Sequence, residues 1–484
     1  MNLPDETHWR IERASRAAVV IDADAYFRLA RAAMMKAQKQ ILLVGWDFDA
    51  RINLAWDDDP PGVPTEVGEF ITWLVKRRPD LNVYILRWDK GALKTLLRGK
   101  TLLTLTRWRF LSKQIHLKLD AHHPVGASHH QKIVVIDDCL AFCGGIDMTD
   151  ERWDTRAHED DHPHRTSPHG WPNKPWHDAT TALQGPVAAA LGDLCRTRWQ
   201  VAGGAEIAAP STTSDCWPPD LEPDFQDVDV AISRSQPEHG TQKALREIEH
   251  LYLALIARAK RFIYAESQYF ASRRVAEAIA RRLDEPDGPE IVIINPVTAQ
   301  GWLEPIAMDT ARARLFQALK ERDTHDRLRM YHPHTAGGTP IYVHAKVLVI
   351  DEEVIRIGSS NFNNRSLGLD TECDVTIEQG GPHERARIAA IRDDLIAEHL
   401  AVEPAAVTQA ITERGLIGAI EALRGNGKTL VPYDVPDLNA VQQWLADNKV
   451  LDPEGPDEMF ETFAKRRPLL GRLRDRVRRR SGRR

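Results

Sequence analysis

One short pattern occurs twice in this chain and constrains its folding more than any other feature. His130-Gln131-Lys132, with Asp137 after four apolar residues and Gly144-Gly145 beyond six more, returns as His344-Ala345-Lys346, Asp351 and Gly358-Ser359 in the same register. Two distant copies that share only H-x-K-x4-D-x6-G-[GS] mark a duplicated structural unit rather than a tandem solenoid. The chain is therefore expected to fold as two similar halves.

The surrounding hydrophobic periodicity repeats in the same order. In the first half a helical stretch around Tyr26–Lys39 runs into a strand at Ile41–Trp46, and a second around Phe70–Arg77 precedes Val83–Trp88. In the second half Lys243–Lys260 precedes Phe262–Glu266, Arg274–Leu283 precedes Glu290–Asn295, and Ala311–Lys320 precedes Leu328–Tyr331. Alternation of this kind predicts the α/β class, with mixed sheets flanked by helices. The expected architecture is two fused α/β sandwich halves related by a pseudo-two-fold, plus a small helical carboxy-terminal segment. The Pro/Ser/Thr/Asp-rich stretch Ala209–Gln226 divides residues 1–208 from 227–403, and 404–484 forms an extension with helical patterns at Val407–Leu423 and Asn439–Asp447. A His-, Pro- and Asp-rich insert, Arg156–Asp178, with His158, His162, His164 and His169, reads as a flexible, titratable surface loop bordering the site.

Composition narrows the setting. With 484 residues, a net charge of −6, 42% hydrophobic and 28% charged residues, the chain is neither disordered, collagen-like nor membrane-embedded. Its first residues lack the apolar run of a secretory signal, and its five scattered cysteines read as reduced thiols, so a cytoplasmic location is expected. The Arg-rich tail, Lys465–Arg484, offers a peripheral contact with an anionic membrane surface.

The chemistry lies in the repeats. On a strand, residues two apart share a face, so each copy presents an imidazole beside an ammonium: His130 with Lys132, and His344 with Lys346. Two lysines converging with two imidazoles attract an anion and can divide the work of nucleophile and acid. Phosphodiester cleavage fits: the lysines offset the charge on non-bridging oxygens, one neutral imidazole attacks phosphorus, and the other protonates the leaving alkoxide. No metal or cofactor is expected. The attacking ring needs a carboxylate on its other nitrogen, and Asp178 and Glu372 are the candidates. Asp137 and Asp351 belong to the catalytic signature by position, but parity turns them to the opposite face, where a structural role in the turn is expected.

The two H-x-K-x4-D copies resemble the HKD motifs of the phospholipase D superfamily. Flanking segments resemble its phospholipase D enzymes: Gly144-Gly145-Ile146-Asp147 with Arg152-Trp153-Asp154, Pro175-Trp176-His177-Asp178, Glu266-Ser267-Gln268-Tyr269-Phe270, and Gly358-Ser359-Ser360-Asn361 through Ser366. The resemblance implies a covalent phosphohistidine intermediate, with His130 as nucleophile and His344 as general acid and then base. It also implies that Lys132, Lys346 and Asn361 bind phosphate, with Ser359 and Gly145 in support. The implied substrate is a glycerophospholipid, with water or an alcohol as acceptor and one chain completing the site as a monomer. Ser267 stands where these enzymes more often carry Asn, which leaves headgroup recognition open. Alternatives are a cardiolipin-synthase-like phosphatidyltransferase, a nuclease of the same superfamily, and a non-catalytic scaffold on anionic membranes. Nucleic acid is the less expected partner, because nuclease members tend to be short chains with one motif.

Overall fold

A computed structural model describes residues 1–57, 60–89, 104–108, 112–211, 215–299, 304–378 and 381–435, with the backbone alone for 304–307. The motif strands Ile133–Ile136 and Val347–Ile350 are buried at every position. An uninterrupted apolar tetrapeptide requires this when helices cover both faces of a sheet.

The two halves meet through two long strands, Arg10–Ile21 and Phe225–Gln236, which pair antiparallel. Outward from Arg10–Ile21 lie Ala179–Gln184, Leu140–Gly144, Ile133–Ile136, Gln40–Gly45, Asn82–Trp88 and Ile115–Asp120. Outward from Phe225–Gln236 lie Glu372–Glu378, Val354–Gly358, Val347–Ile350, Phe262–Glu266, Glu290–Ile294, Leu328–His334 and Thr429–Pro432. The two series correspond strand for strand until the last. In each, the pairs nearest the centre are antiparallel and three strands further out are parallel, Gln40–Gly45 with Asn82–Trp88 and Ile115–Asp120, and Phe262–Glu266 with Glu290–Ile294 and Leu328–His334; the extra strand Thr429–Pro432 pairs antiparallel at the edge. The fold is thus the mixed α/β arrangement expected, with one difference: the halves share a single continuous sheet.

Helices cover both faces. One apolar core spans the two halves under the helices Pro186–Val201, Pro382–Leu400 and Pro404–Leu423. On the opposite face each half has its own core, under Ala23–Met34 and Val67–Arg77 in the first and Glu247–Arg258 and Arg273–Leu283 in the second. No described helix is long and apolar enough to cross a membrane.

The chain beyond 403 differs from the expected appendage. Helix Pro404–Leu423 buries Val407, Leu416 and Ile420 in the shared core, and Thr429–Pro432 joins the sheet beside Leu328–His334. The expected linker is also anchored, with Cys216 and Trp217 buried in the first half's core. The second helical pattern, Asn439–Asp447, and the Arg-rich tail lie outside the described residues.

Candidate active site

Each motif histidine enters along an extended segment just before its strand, and each is fixed by the other half. The His130 N–H donates to Thr371 O at 2.8 Å, and Thr371 N–H donates to Ser128 O at 2.9 Å. In the second copy Tyr342–Val343 pairs parallel with Trp176–His177, and the N–H of His344 donates to His177 O at 2.8 Å. These interlocking edges bring the two imidazoles together, with ring centroids 6.3 Å apart and planes at 66°.

The two candidate carboxylates cross between halves. His130 Nδ1 lies 3.0 Å from Glu372 Oε2, and His344 Nδ1 lies 2.7 Å from Asp178 Oδ2. Both carboxylates are fully buried. Glu372 also accepts from the hydroxyls of Ser359 and Ser366. Gly145, the counterpart of Ser359, makes room for the shorter acid: a Cβ there would lie 2.1 Å from Asp178 Oδ1. Ser359 and Gly145 therefore sit behind the carboxylates and not in the cavity wall.

The lysines are placed less symmetrically than their motifs. Lys132 Nζ is 3.1 Å from Asp147 Oδ2 and donates to His130 O at 2.7 Å. Lys346 Nζ donates to His344 O, and among the described residues no carboxylate lies within ion-pair distance of it. The reason is one substitution between the repeats, Asn361 standing where the first copy has Asp147. Asn361 is buried; its Nδ2 donates to Gln268 Oε1 at 3.3 Å and its Oδ1 has no partner. A cavity of about 240 Å³ opens between the two imidazoles, walled also by Trp46, Trp88, Arg152, Gln268, Tyr269 and Asn361.

Burial, with Lys132 and Lys346 nearby, holds the His130 imidazole well below its ordinary value. Burial, Lys346 and Arg152 do the same to His344. Both rings are therefore neutral near pH 7, each with Nδ1–H on its carboxylate and Nε2 left as a lone pair. Burial, helped by Asp370, pushes the Glu372 carboxyl up, and burial pushes Asp178 up. Burial brings the Lys346 ammonium down to about 7.

Asp137 and Asp351, grouped with the catalytic signature by motif, take no part in this cavity. Each occupies a left-handed turn, at φ +48° and +54°. Asp137 accepts from the N–H groups of Gln38, Lys39 and Gln40 at 2.6, 2.8 and 2.7 Å, and Asp351 from those of Lys260, Arg261 and Phe262 at 3.0, 2.7 and 2.8 Å. They clamp the start of the neighbouring strand, the structural role that parity predicts.

Behind the site lies a buried ionic cluster that the sequence reading missed. His158, expected on a flexible loop, is 1% exposed; its ring lies 2.9 Å from Asp154, 3.0 Å from Glu398 and 3.4 Å from Asp22. His177 lies 2.9 Å from Glu266, 2.9 Å from Glu398 and 3.2 Å from Asp22. Burial alone would lower the His177 imidazole, but Glu266, Glu398 and Asp22 outweigh it and hold the ring well above its ordinary value. Ligating atoms of Asp22, His158, His177 and Glu398 all lie within 4.8 Å of one another. With His177 protonated, the imidazoles and carboxylates compensate one another as an ion-pair network. Asp22 and Glu398 carry no local signal in the sequence; only the fold brings them to the histidines.

A family model described as phospholipase D matches residues 33–277, just over half of the chain, and one described as cardiolipin synthase, PLD-like domain matches 252–389. Phospholipase D alpha 1 of Nicotiana tabacum is 24% identical and that of Arabidopsis thaliana 26% identical, each alignment covering 76% of this chain and 63% of the relative. The chain thus spans just under two thirds of the length of these curated relatives. The crystal structure of phosphatidylserine synthase from Haemophilus influenzae superposes with a TM-score of 0.56 at 13% identity, covering 86% of this chain and 96% of that one, which shows a shared fold. Matched by that model across both the first motif and the start of the second half, the chain belongs to the phospholipase D family.

Proposed function

We propose that this chain is a phospholipase D-type phosphodiesterase that releases the headgroup of a glycerophospholipid through a phosphohistidine. One observation carries the reading: two neutral imidazoles face a common cavity, each held at Nδ1 by a carboxylate from the other half. With Nδ1–H engaged, Nε2 of His130 is the free lone pair and attacks phosphorus, while the bond from phosphorus to the headgroup oxygen breaks. Burial, Lys346 and Arg152 keep His344 neutral; the anionic diester offsets those cations, so His344 can take a proton from solvent on Nε2 and deliver it to the departing alkoxide. Water then attacks phosphorus, His344 takes back a proton, the P–N bond breaks and phosphatidic acid leaves. A primary alcohol in place of water gives transfer by the same steps. Asn361 lines the cavity that takes the phosphoryl group, and Lys132 and Lys346, outside its wall, add their charge to the field there.

The test is incubation of the full chain with phosphatidylcholine vesicles containing phosphatidylglycerol, with and without ethanol. Phosphatidic acid, diverted to phosphatidylethanol by the alcohol and absent with His130→Ala, is expected. Release of diacylglycerol and phosphocholine, or turnover retained by the variant, overturns the reading.

A further inference from the structure

Arg152 is 7% exposed, and its Nε and Nη1 are buried without a hydrogen bond. Among the described residues it has no carboxylate within ion-pair distance. Its guanidinium carbon lies 4.2 Å from the centre of the Trp176 ring, and that ring is 5.1 Å from the ring of His344. It lines the same cavity as both imidazoles. A buried cation without a counter-ion carries a large desolvation cost that a bound anion offsets. Every other buried arginine near the motifs is paired: Arg356 with Asp374, Arg198 with Asp120, Arg87 with Asp47.

We propose that Arg152 is the principal phosphate-binding cation of this site, donating from its guanidinium to a non-bridging oxygen of a phosphoryl group held between His130 and His344. This rests on the reading of the site as a phosphodiester centre and adds a residue to it. The motif lysines are otherwise committed: Lys132 is ion-paired with Asp147, and Lys346 is held close to neutrality by its burial. A guanidinium keeps its charge at any working pH, and its planar fork matches two phosphate oxygens. Stacking on Trp176 fixes that fork, so little ordering is left for the moment of binding.

The experiment measures binding of inorganic phosphate to the full chain by calorimetry, alongside turnover of phosphatidylcholine, for the wild type, Arg152→Gln and Arg152→Lys. R152Q is expected to weaken phosphate binding by about tenfold or more and to raise KM, with the Tm of the phosphate-free protein equal to or above that of the wild type. R152K is expected to keep most of the affinity and to lose only the part owed to the fork. Phosphate binding by R152Q within about twofold of the wild type overturns the proposal. Should R152Q fail to fold, R152K carries the test: no loss of phosphate affinity overturns it, and a loss of about threefold or more supports it. Arg152-dependent phosphate binding without turnover of any diester would remove the proposed activity and leave this inference standing. Turnover with phosphate binding indifferent to Arg152 would do the reverse.

Discussion

Glu372 belongs to the second repeat and His130 to the first, yet its Oε2 lies 3.0 Å from Nδ1 of that imidazole. The reciprocal pair, Asp178 with His344 at 2.7 Å, closes the exchange. Each imidazole is therefore held at Nδ1 by a carboxylate of the opposite half.

The crossing separates two kinetic roles. Glu372→Gln should slow formation of the phosphohistidine, whatever the leaving group. Asp178→Asn should slow proton delivery, and should matter far less when the headgroup is p-nitrophenol, which leaves without a proton. Losses up to about 10⁴-fold in kcat are expected for natural headgroups, as for other imidazoles deprived of their carboxylate. Burst kinetics with phosphatidyl-p-nitrophenol read the difference; an equal penalty in both variants would sink the assignment.

The motif aspartates should act on stability alone. Asp137→Ala leaves three backbone donors without their acceptor and is expected to cost about 3 kcal/mol, with Asp351→Ala similar. Turnover per folded molecule should stay within a few-fold. Denaturant unfolding with activity normalised to the folded fraction checks this, and a large loss in the folded protein would return these acids to the chemistry.

Much of this was legible in advance, and what was not has a common cause. Strand Phe262–Glu266 and helix Arg273–Leu283 follow from local periodicity, because a face buried along one element leaves its pattern in adjacent residues. The motif pairs His130 with Lys132 and His344 with Lys346 were readable from register, as was the turn position of Asp137 on the opposite face. Which carboxylate serves which histidine was not, because offset along the chain carries no information about pairing between halves. The continuous sheet was hidden in the same way, since Arg10–Ile21 and Phe225–Gln236 each look like an ordinary strand until they meet. His158 reads as loop by its Pro- and Asp-rich neighbours; its burial depends on Asp22 and Glu398, far away in sequence. Asp147 and Arg152 lie in flanking motifs whose local pattern carries no role for them, though alignment of Asp147 on Asn361 already signals that the two lysines differ.

Gly145 offers a steric test of the site's support. In Gly145→Ala the new methyl meets the Asp178 carboxylate, which is hydrogen-bonded to His344 and cannot withdraw without releasing the ring. The variant should therefore mimic Asp178→Asn in its dependence on leaving group, and lose about 1–3 kcal/mol of stability through overpacking. Ser359→Ala, by contrast, removes one of several donors to Glu372 and should cost about 1 kcal/mol with a several-fold fall in kcat. Wild-type kinetics in Gly145→Ala would mean that the carboxylate has freedom the packing denies it.

Lys346 couples function to stability with a definite sign. Burial brings its ammonium from 10.5 in the unfolded chain to about 7 in the folded one. Below about pH 7 the folded protein holds a desolvated charge, so the penalty is fully present there. It shrinks as pH rises from 7 towards 10.5, where the unfolded chain keeps a proton that the folded one has released. Lys346→Met should consequently be more stable than the wild type at pH 6, by roughly 3–5 kcal/mol on this shift, and the advantage should narrow steadily towards pH 10. The same titration acts on turnover in the opposite sense: kcat/KM should decline above about pH 7 as the ammonium near the phosphoryl group is lost, and the variant should be inactive throughout. Thermal unfolding of both proteins from pH 6 to 10, set beside the pH profile of the wild type, tests both halves. A variant less stable than the wild type at pH 6 would show that Lys346 is stabilised by its surroundings rather than strained by them.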